Sequence, residues 1–500
     1  MATTEFIAAI EVASSHIAGM AGRLADDGVL QLLAYAGEPS SSFVRKGVVN
    51  NIDKTARALS RLVGELEAQT GCTIDKVYVG ISGQPLHAVR NSVSRQFDGE
   101  QIISTELVDA LCDENRECYP SGGEVEVLDV VPQEYRIDNQ LLADPVSVPG
   151  RSITGQFLNL VSRTMLKERL ELSFRQAGIT LADDPVISPL ALARAVLGEA
   201  EMRSGCVLVD FGADTTTVQV YKESILRHLA VIPLGGNSLT RDMATLQMEE
   251  ADAEYLKLHQ VDVSYNDSRD TAAAAADDAR PAAEPMAQLP DGRRFPLALL
   301  CEAAAARLDE ILANVNRQIE LSGIPADMLF AGAILTGGAS ALPGLPEAFS
   351  RLCHLSRVKC VSQARIPLQA APGLLPDAAA PLPCTLLGLL LSGRDNCCHP
   401  QPPQVQPVPD ATGHTADIFR DDPDAQPQPA KPADPSTVKP SSKPSRPGKP
   451  GKPSKPGRTD EESADAPSSQ GSRGSRSLFG DFFGRMAREM FSGDEEMKNN

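Results

Sequence analysis

Val209-Asp210-Phe211-Gly212-Ala213-Asp214-Thr215-Thr216-Thr217 joins an apolar strand end, a turn of small residues and the hydroxyl-rich start of a second strand. A hairpin of this make can close its backbone N–H groups around a phosphate, and an aspartate at the strand end can hold a hydrated Mg²⁺. A segment of similar construction lies near the start of the chain, Ile10-Glu11-Val12-Ala13-Ser14-Ser15-His16. Further on, Leu335-Thr336-Gly337-Gly338-Ala339-Ser340 ends an apolar run in a Gly-Gly turn, and Ile232-Pro233-Leu234-Gly235-Gly236-Asn237 leads into a helical pattern. Taken singly, each is weak evidence, since a hairpin of this kind is usually an ordinary turn.

Their order and separation carry more. Two such hairpins followed by a Gly-Gly turn resemble the duplicated actin/Hsp70/sugar-kinase fold. The resemblance implies that the hairpins clamp phosphates from opposite domains, with the Gly-Gly turn against the adenosine. The intervening pattern agrees with an α/β class and mixed sheets. Short strands are expected at 5–12, 17–22 and 76–82, with a helix at 51–69 capped by Asn51 and apolar at Ala56, Leu59, Leu62, Val63 and Leu66. From about 84 to 163, short β-like runs at 124–131 and 155–161 and a helix near 104–115 read as a small α/β insertion. Helices at 166–177 and 190–197 follow, then strands at 206–210, 216–220 and 225–231. Helices from Asn237 and from Pro296 to about Ile319 precede a buried strand at 333–336. The Ala- and Asp-rich stretch 264–290 has little patterning and is expected to be a surface insertion.

The formal net charge of −19 argues against a nucleic-acid binder, which needs a basic face. Ten scattered cysteines, none in a C-x-x-C pair, read as reduced thiols, and Cys397-Cys398-His399 lacks the partner cluster a metal needs. The first residues have no basic start or unbroken apolar run, so no secretory signal is expected. Nowhere do about eighteen apolar residues run together, so nothing is expected to span a bilayer.

Residues 400–475 are dense in proline, serine, glycine and lysine, and should not repay the entropy of ordering. Lys439, Lys443, Arg446, Lys449, Lys452, Lys455 and Arg458 form a run free of acidic residues, either a solvated linker or a weak attraction for anionic lipid. Beyond it, at 100° per residue, Leu478, Phe479, Phe482, Phe483, Met486 and Met490 share one face, opposite Asp481, Arg485 and Arg488. The alternatives for this helix are a membrane surface, a protein groove or its own core; two glycines and the long linker favour a membrane surface. Burying a large apolar side chain fully is worth roughly 1.5–3 kcal/mol, but interfacial burial is partial and folding the helix costs part of the gain. Each basic residue near anionic lipid adds about 1 kcal/mol at most. One helix is therefore a weak, reversible anchor, and stable residence calls for many copies in an assembly.

Segments across the chain resemble the FtsA family of actin-like bacterial cell-division proteins. They are Lys46–Asp53, Val77–Gly83, Val131–Asp138, Val209–Tyr221, Arg227–Asn237 and Ile334–Leu345, together with the terminal helix. The resemblance implies an actin-like first domain over 1–83 and 164–200, interrupted by the 84–163 insertion. It implies a second domain over 201–398 with a smaller lobe at about 240–300, a linker over 399–476 and a membrane helix over 477–492. It further implies an adaptor that binds ATP with Mg²⁺, self-associates into filaments and tethers FtsZ to the cytoplasmic face of the inner membrane at the septum. The insertion would meet other division proteins. The nucleotide site would use Ser14, Ser15 and His16 in the first loop, and Asp210, Gly212, Thr215 and Thr216 in the second, with Asp210 nearest Mg²⁺. Gly235, Gly236 and Asn237 would border the phosphates; Glu254 and Lys257 would flank the ribose and adenine above Gly337, Gly338 and Ala339. Glu302, Arg307 and Glu310 match a second adenosine-side helix. Where the family has glycines, this chain has Ala13 and Ala213-Asp214, which restrict positive φ and place a charge near the phosphates unless a cation intervenes. ATP binding with at most weak hydrolysis is therefore expected. A small-molecule kinase of the same superfamily and an actin-like pilus-assembly protein are the alternatives.

Overall fold

The computed structural model describes residues 5–119, 123–265, 285–375 and 382–400. The linker, and the expected membrane helix with Leu478, Phe479, Phe482, Phe483, Met486 and Met490, lie outside these residues.

The first expected strand runs Ile7–Val12 and turns at once into His16–Leu24, which pairs onward with Leu30–Pro39. On the other side of Ile7–Val12 lies Lys76–Ile81, parallel, with Ala9 opposite Tyr78. The connecting helix, Ile52–Thr70, starts where Asn51 accepts a hydrogen bond from the Lys54 amide and ends at Gly71 in the left-handed region. Its buried positions include the five apolar residues read from the sequence.

The second half repeats this plan. Cys206–Phe211 turns into Thr216–Lys222, which pairs with Ile225–Ile232. Gly332–Thr336 then adds in parallel to Cys206–Phe211, with Asp210 opposite Thr336. Each half therefore ends its first hairpin beside the end of a parallel strand, where the loops of an open sheet gather.

The insertion holds a helix, Thr105–Glu117, over a sheet of His87–Ile102, Val125–Ile137, Gln140–Leu142 and Pro149–Arg163. It has its own core, where Tyr135 meets Phe157 edge-on beside Leu111 and Ile153. Although the chain enters and leaves it through the first half, its strand His87–Ile102 meets Ile225–Ile232 at the pair His87–Ala230. Its sheet thus runs on into that of the second half. Gln133 donates to the Leu226 carbonyl at 2.9 Å, Arg227 pairs with Glu134 at 3.1 Å, and Arg90 bonds the Ser322 carbonyl.

Two boundaries shift from the sequence reading. Met286–Gln288 pairs with Arg294–Pro296 and buries Ala287, so the Ala-rich stretch ends in a strand. Cys398–Pro400 pairs with Cys72–Ile74, so His399 and Pro400 belong to the folded body and not to the linker.

One unread helix matters for the cleft between the halves. Cys384–Ser392 is buried along most of its length and packs on Ser188–Val196. A Cβ at Gly388 would collide with the Ala191 carbonyl. In an open helix Gly→Ala stabilises by roughly 1 kcal/mol, but Gly388→Ala should here cost about 2 kcal/mol or more, the overpacking penalty. Urea unfolding measures the sign; a more stable variant would show that the two helices do not approach this closely.

Candidate functional site

The two hairpin turns and the Gly-Gly turn converge on one cleft of about 520 Å³ between the halves. In the first loop the Ala13 amide donates to the His16 carbonyl at 3.0 Å, and Ser40 Oγ donates to the Ala13 carbonyl at 2.6 Å. Ser14 is buried, and its Oγ accepts from the Gly47 amide at 2.9 Å. Ser15 is exposed, with its hydroxyl 2.8 Å from His16 Nδ1, and burial lowers the pKa of His16.

The second loop closes by the Gly212 amide donating to the Thr215 carbonyl at 2.9 Å. It interlocks with the turn that opens the helix Gly236–Ala244: the Gly236 amide donates to the Gly212 carbonyl and the Asn237 amide to the Ala213 carbonyl. Gly235 makes that approach possible, since a Cβ there would lie 2.6 Å from both the Gly212 and Ala213 carbonyl oxygens. Ser14, Ser15, His16, Asp210, Gly212, Thr215, Gly236, Asn237, Glu254, Lys257, Gly337, Gly338 and Ala339 all line the cleft.

Five expected residues, Thr216, Gly235, Glu302, Arg307 and Glu310, do not line it. Thr216 is buried in its strand and donates to the Leu234 carbonyl at 2.9 Å. Gly235 serves the interlock. Glu302 is exposed on the helix Leu297–Leu321, and Arg307 on the same helix is engaged by Asp242 at 2.6 Å and by Glu310. Lys257 lines the cleft, but its amine is taken up by protein. It donates to Glu254 at 2.6 Å, Thr240 at 2.9 Å and the Gly236 carbonyl at 3.2 Å, pinning the start of the helix Gly236–Ala244.

The expected difficulty at Ala13, Ala213 and Asp214 does not arise, because none of the three adopts a positive φ. Nor is the Asp214 charge left uncompensated: Arg241 lies 3.1 Å from its carboxylate, and Asn237 Nδ2 donates to it at 2.9 Å.

Sequence reasoning assigned Glu11 no role. In the structure it faces Asp210 across the cleft. Burial first, and then the Asp210 charge, push its pKa up to about 7, against the moderating hydrogen bond of Thr385; burial pushes Asp210 up to about 6. Gly337, at φ 89°, leaves room for the Asp210 carboxyl, which a Cβ there would strike. Tyr35, Ser188 and Thr385 complete this floor from segments far apart in the chain, and no local motif announces them. Two oxygen-ligand carboxyls brought together suit a hard divalent ion, and the amide-rich turns above suit phosphate.

Known proteins bear on this cleft. The family described as "Cell division protein FtsA" matches residues 207–375, and "SHS2 domain inserted in FTSA" matches residues 83–161. The cell division protein FtsA of Porphyromonas gingivalis is 30% identical over 349 residues, covering 69% of this chain and 70% of the relative. That of Pseudomonas aeruginosa is 27% identical over 403 residues, covering 78% and 89%. Among solved structures, the PilM–PilN type IV pilus biogenesis complex superposes with a TM-score of 0.53 at 17% identity, covering 77% of this chain and 97% of that one, which shows a shared fold. With its actin-like α/β body and its inserted domain in the matching place, the chain belongs to the FtsA family of cell-division proteins.

Proposed function

We propose that the chain binds ATP with Mg²⁺ in the cleft, hydrolyses it weakly if at all, and self-assembles. In this reading it tethers FtsZ filaments to the cytoplasmic face of the inner membrane at the septum, through the helix expected over 477–492. The observation that carries the nucleotide reading is the convergence of both hairpin turns and the Gly-Gly turn on a single cleft. The backbone amide of Ser15 is a candidate to hold a phosphate oxygen, and Glu11 and Asp210 would hold the Mg²⁺ that travels with the nucleotide. That ion would supply the positive charge this carboxylate pair lacks. No helix among the described residues is long and apolar enough to cross a membrane, and attachment by an interfacial helix needs none. The insertion, with its separate core and outward edge, is the natural surface for other division proteins.

Gly338 offers a clean test of the nucleotide. It lines the cleft, and a Cβ there would meet nothing within 4 Å, so Gly338→Val should fold normally while obstructing the ligand. Calorimetric titration with Mg·ATP should show affinity reduced at least about tenfold, the worth of one displaced contact. Unchanged affinity would remove ATP from this cleft.

Glu11 makes a second test through pH. Its pKa rises from 4.5 to about 7 on folding, so between those values the folded chain holds a proton that the unfolded chain has lost. Stability from this group is full below 4.5 and is lost as pH climbs toward 7. Glu11→Gln should therefore stabilise the metal-free protein more at pH 8 than at pH 5, by a difference on the order of 1–3 kcal/mol in unfolding free energy read from thermal melts. Excess Mg²⁺ should shrink it. Equal shifts at both pH values would show that Glu11 is not buried beside Asp210.

For the membrane, the intact chain should sediment with anionic vesicles and a chain ending before Ser477 should not. Equal binding by both would exclude the terminal helix as the anchor.

A further inference from the structure

We propose that Asp214 is the positioning residue of the cleft: its carboxylate latches a first-half hairpin onto the second half, so that both phosphate-facing loops are set before any nucleotide arrives. The hairpin is Val44–Arg45 paired with Val48–Val49, and its two-residue turn is Lys46-Gly47. Both turn residues are left-handed, at φ 50° and 75°, the geometry of a tight turn whose twist matches its strands. Its tip is seated in the first half. The Lys46 carbonyl accepts from the Gln84 amide at 2.9 Å, and a Cβ on Gly47 would lie 2.5 Å from Gly83 Cα.

The two amides of this tip reach opposite halves of the molecule. That of Gly47 donates to Ser14 Oγ in the first loop at 2.9 Å. That of Lys46 donates to Asp214 Oδ2 in the second loop at 3.2 Å. The other oxygen of Asp214 accepts from Asn237 Nδ2 at 2.9 Å and Arg241 Nη2 at 3.1 Å. One side chain therefore gathers donors from the hairpin and from the helix that opens at the phosphate-facing turn, while its own backbone belongs to the second loop. The Asp214 side chain is only 11% exposed, against 52% for Arg241, so the carboxylate sits inside the joint with its cation on the outer side. Asp214 does not line the cleft, so the carboxylate joins the loops without taking the place of a ligand. Alanine here would leave one backbone amide, one carboxamide and one guanidinium without their shared acceptor, and hydrogen bonds to a charged group are the stronger kind.

Set joints of this sort remove ordering cost from a later binding step. That consequence rests on the nucleotide reading given above; the latch itself does not. Hydrogen exchange of the full chain, followed at the Lys46 amide, separates the two. Without nucleotide, this amide should be protected in the native chain. Asp214→Ala should lower its protection at least about tenfold while leaving the strand Cys206–Phe211 unchanged. Arg241→Gln, which keeps the acceptor and removes its cation, should lower it less. An unprotected Lys46 amide in the native chain, or protection indifferent to Asp214→Ala, would overturn the latch. If Asp214→Ala exposes every amide alike, Arg241→Gln decides: a loss confined to residues 45–48 supports the latch and no loss overturns it. Adding Mg·ATP should change Lys46 protection in the native chain less than about threefold, yet restore much of it in Asp214→Ala. A large gain in the native chain would show that nucleotide, and not Asp214, sets the joint. Failure of ATP to bind at all would leave the ligand-free result standing and remove only the nucleotide reading.

Discussion

Two acidic side chains, Glu11 from one half and Asp210 from the other, are driven together at the floor of the cleft by the sheets that carry them. Each stands near the end of a hairpin's first strand, beside a parallel strand, so the duplication of the fold forces the meeting. Burial makes both charged forms costly, and the Asp210 charge raises Glu11 further. Glu11 accommodates this by keeping its proton up to about pH 7. Much of the surrounding arrangement serves that point: Gly337 leaves room for Asp210, and Thr385 reaches in from a distant helix to bond Glu11.

Above that floor, the loops are held by backbone interlocks more than by the side chains that a motif would advertise. The start of the helix Gly236–Ala244 donates two amides to carbonyls of the second hairpin turn, and Lys257 ties the same helix by its Gly236 carbonyl. This explains how a loop with Ala213 and Asp214 in place of glycines keeps its shape. The turn needs no left-handed residue there, and the added carboxylate finds Arg241.

Much of this was legible in the sequence, for reasons that differ by element. The helix Ile52–Thr70 announced itself by a capping asparagine and a five-residue apolar stripe, both of which the structure uses. The paired hairpins were readable from their order and separation, followed by the Gly-Gly turn, and not from either turn alone. The strand His87–Ile102 was not, since most of its side chains are polar and its outer end is exposed on both faces, leaving no alternation. The helix Cys384–Ser392 escaped for the opposite reason: it is apolar nearly all round, so no 3.6-residue period stands out. In the cleft, Tyr35 and Thr385 arrive by tertiary packing alone. Asp214 was visible but misjudged, because a charge can be weighed only with its neighbours, and Arg241 lies 27 positions away.

The inserted domain is covalently rooted in the first half, yet its sheet is stitched to the second through His87–Ala230, Gln133 and Arg227. It thus straps the two halves together. Any movement that widens the cleft must shear those contacts or bend the two strands, His87–Ile102 and Pro149–Arg163, by which the chain enters and leaves. The outer edge of the insertion is therefore tied mechanically to both walls of the cleft: to one by the continuous chain, to the other by the shared sheet.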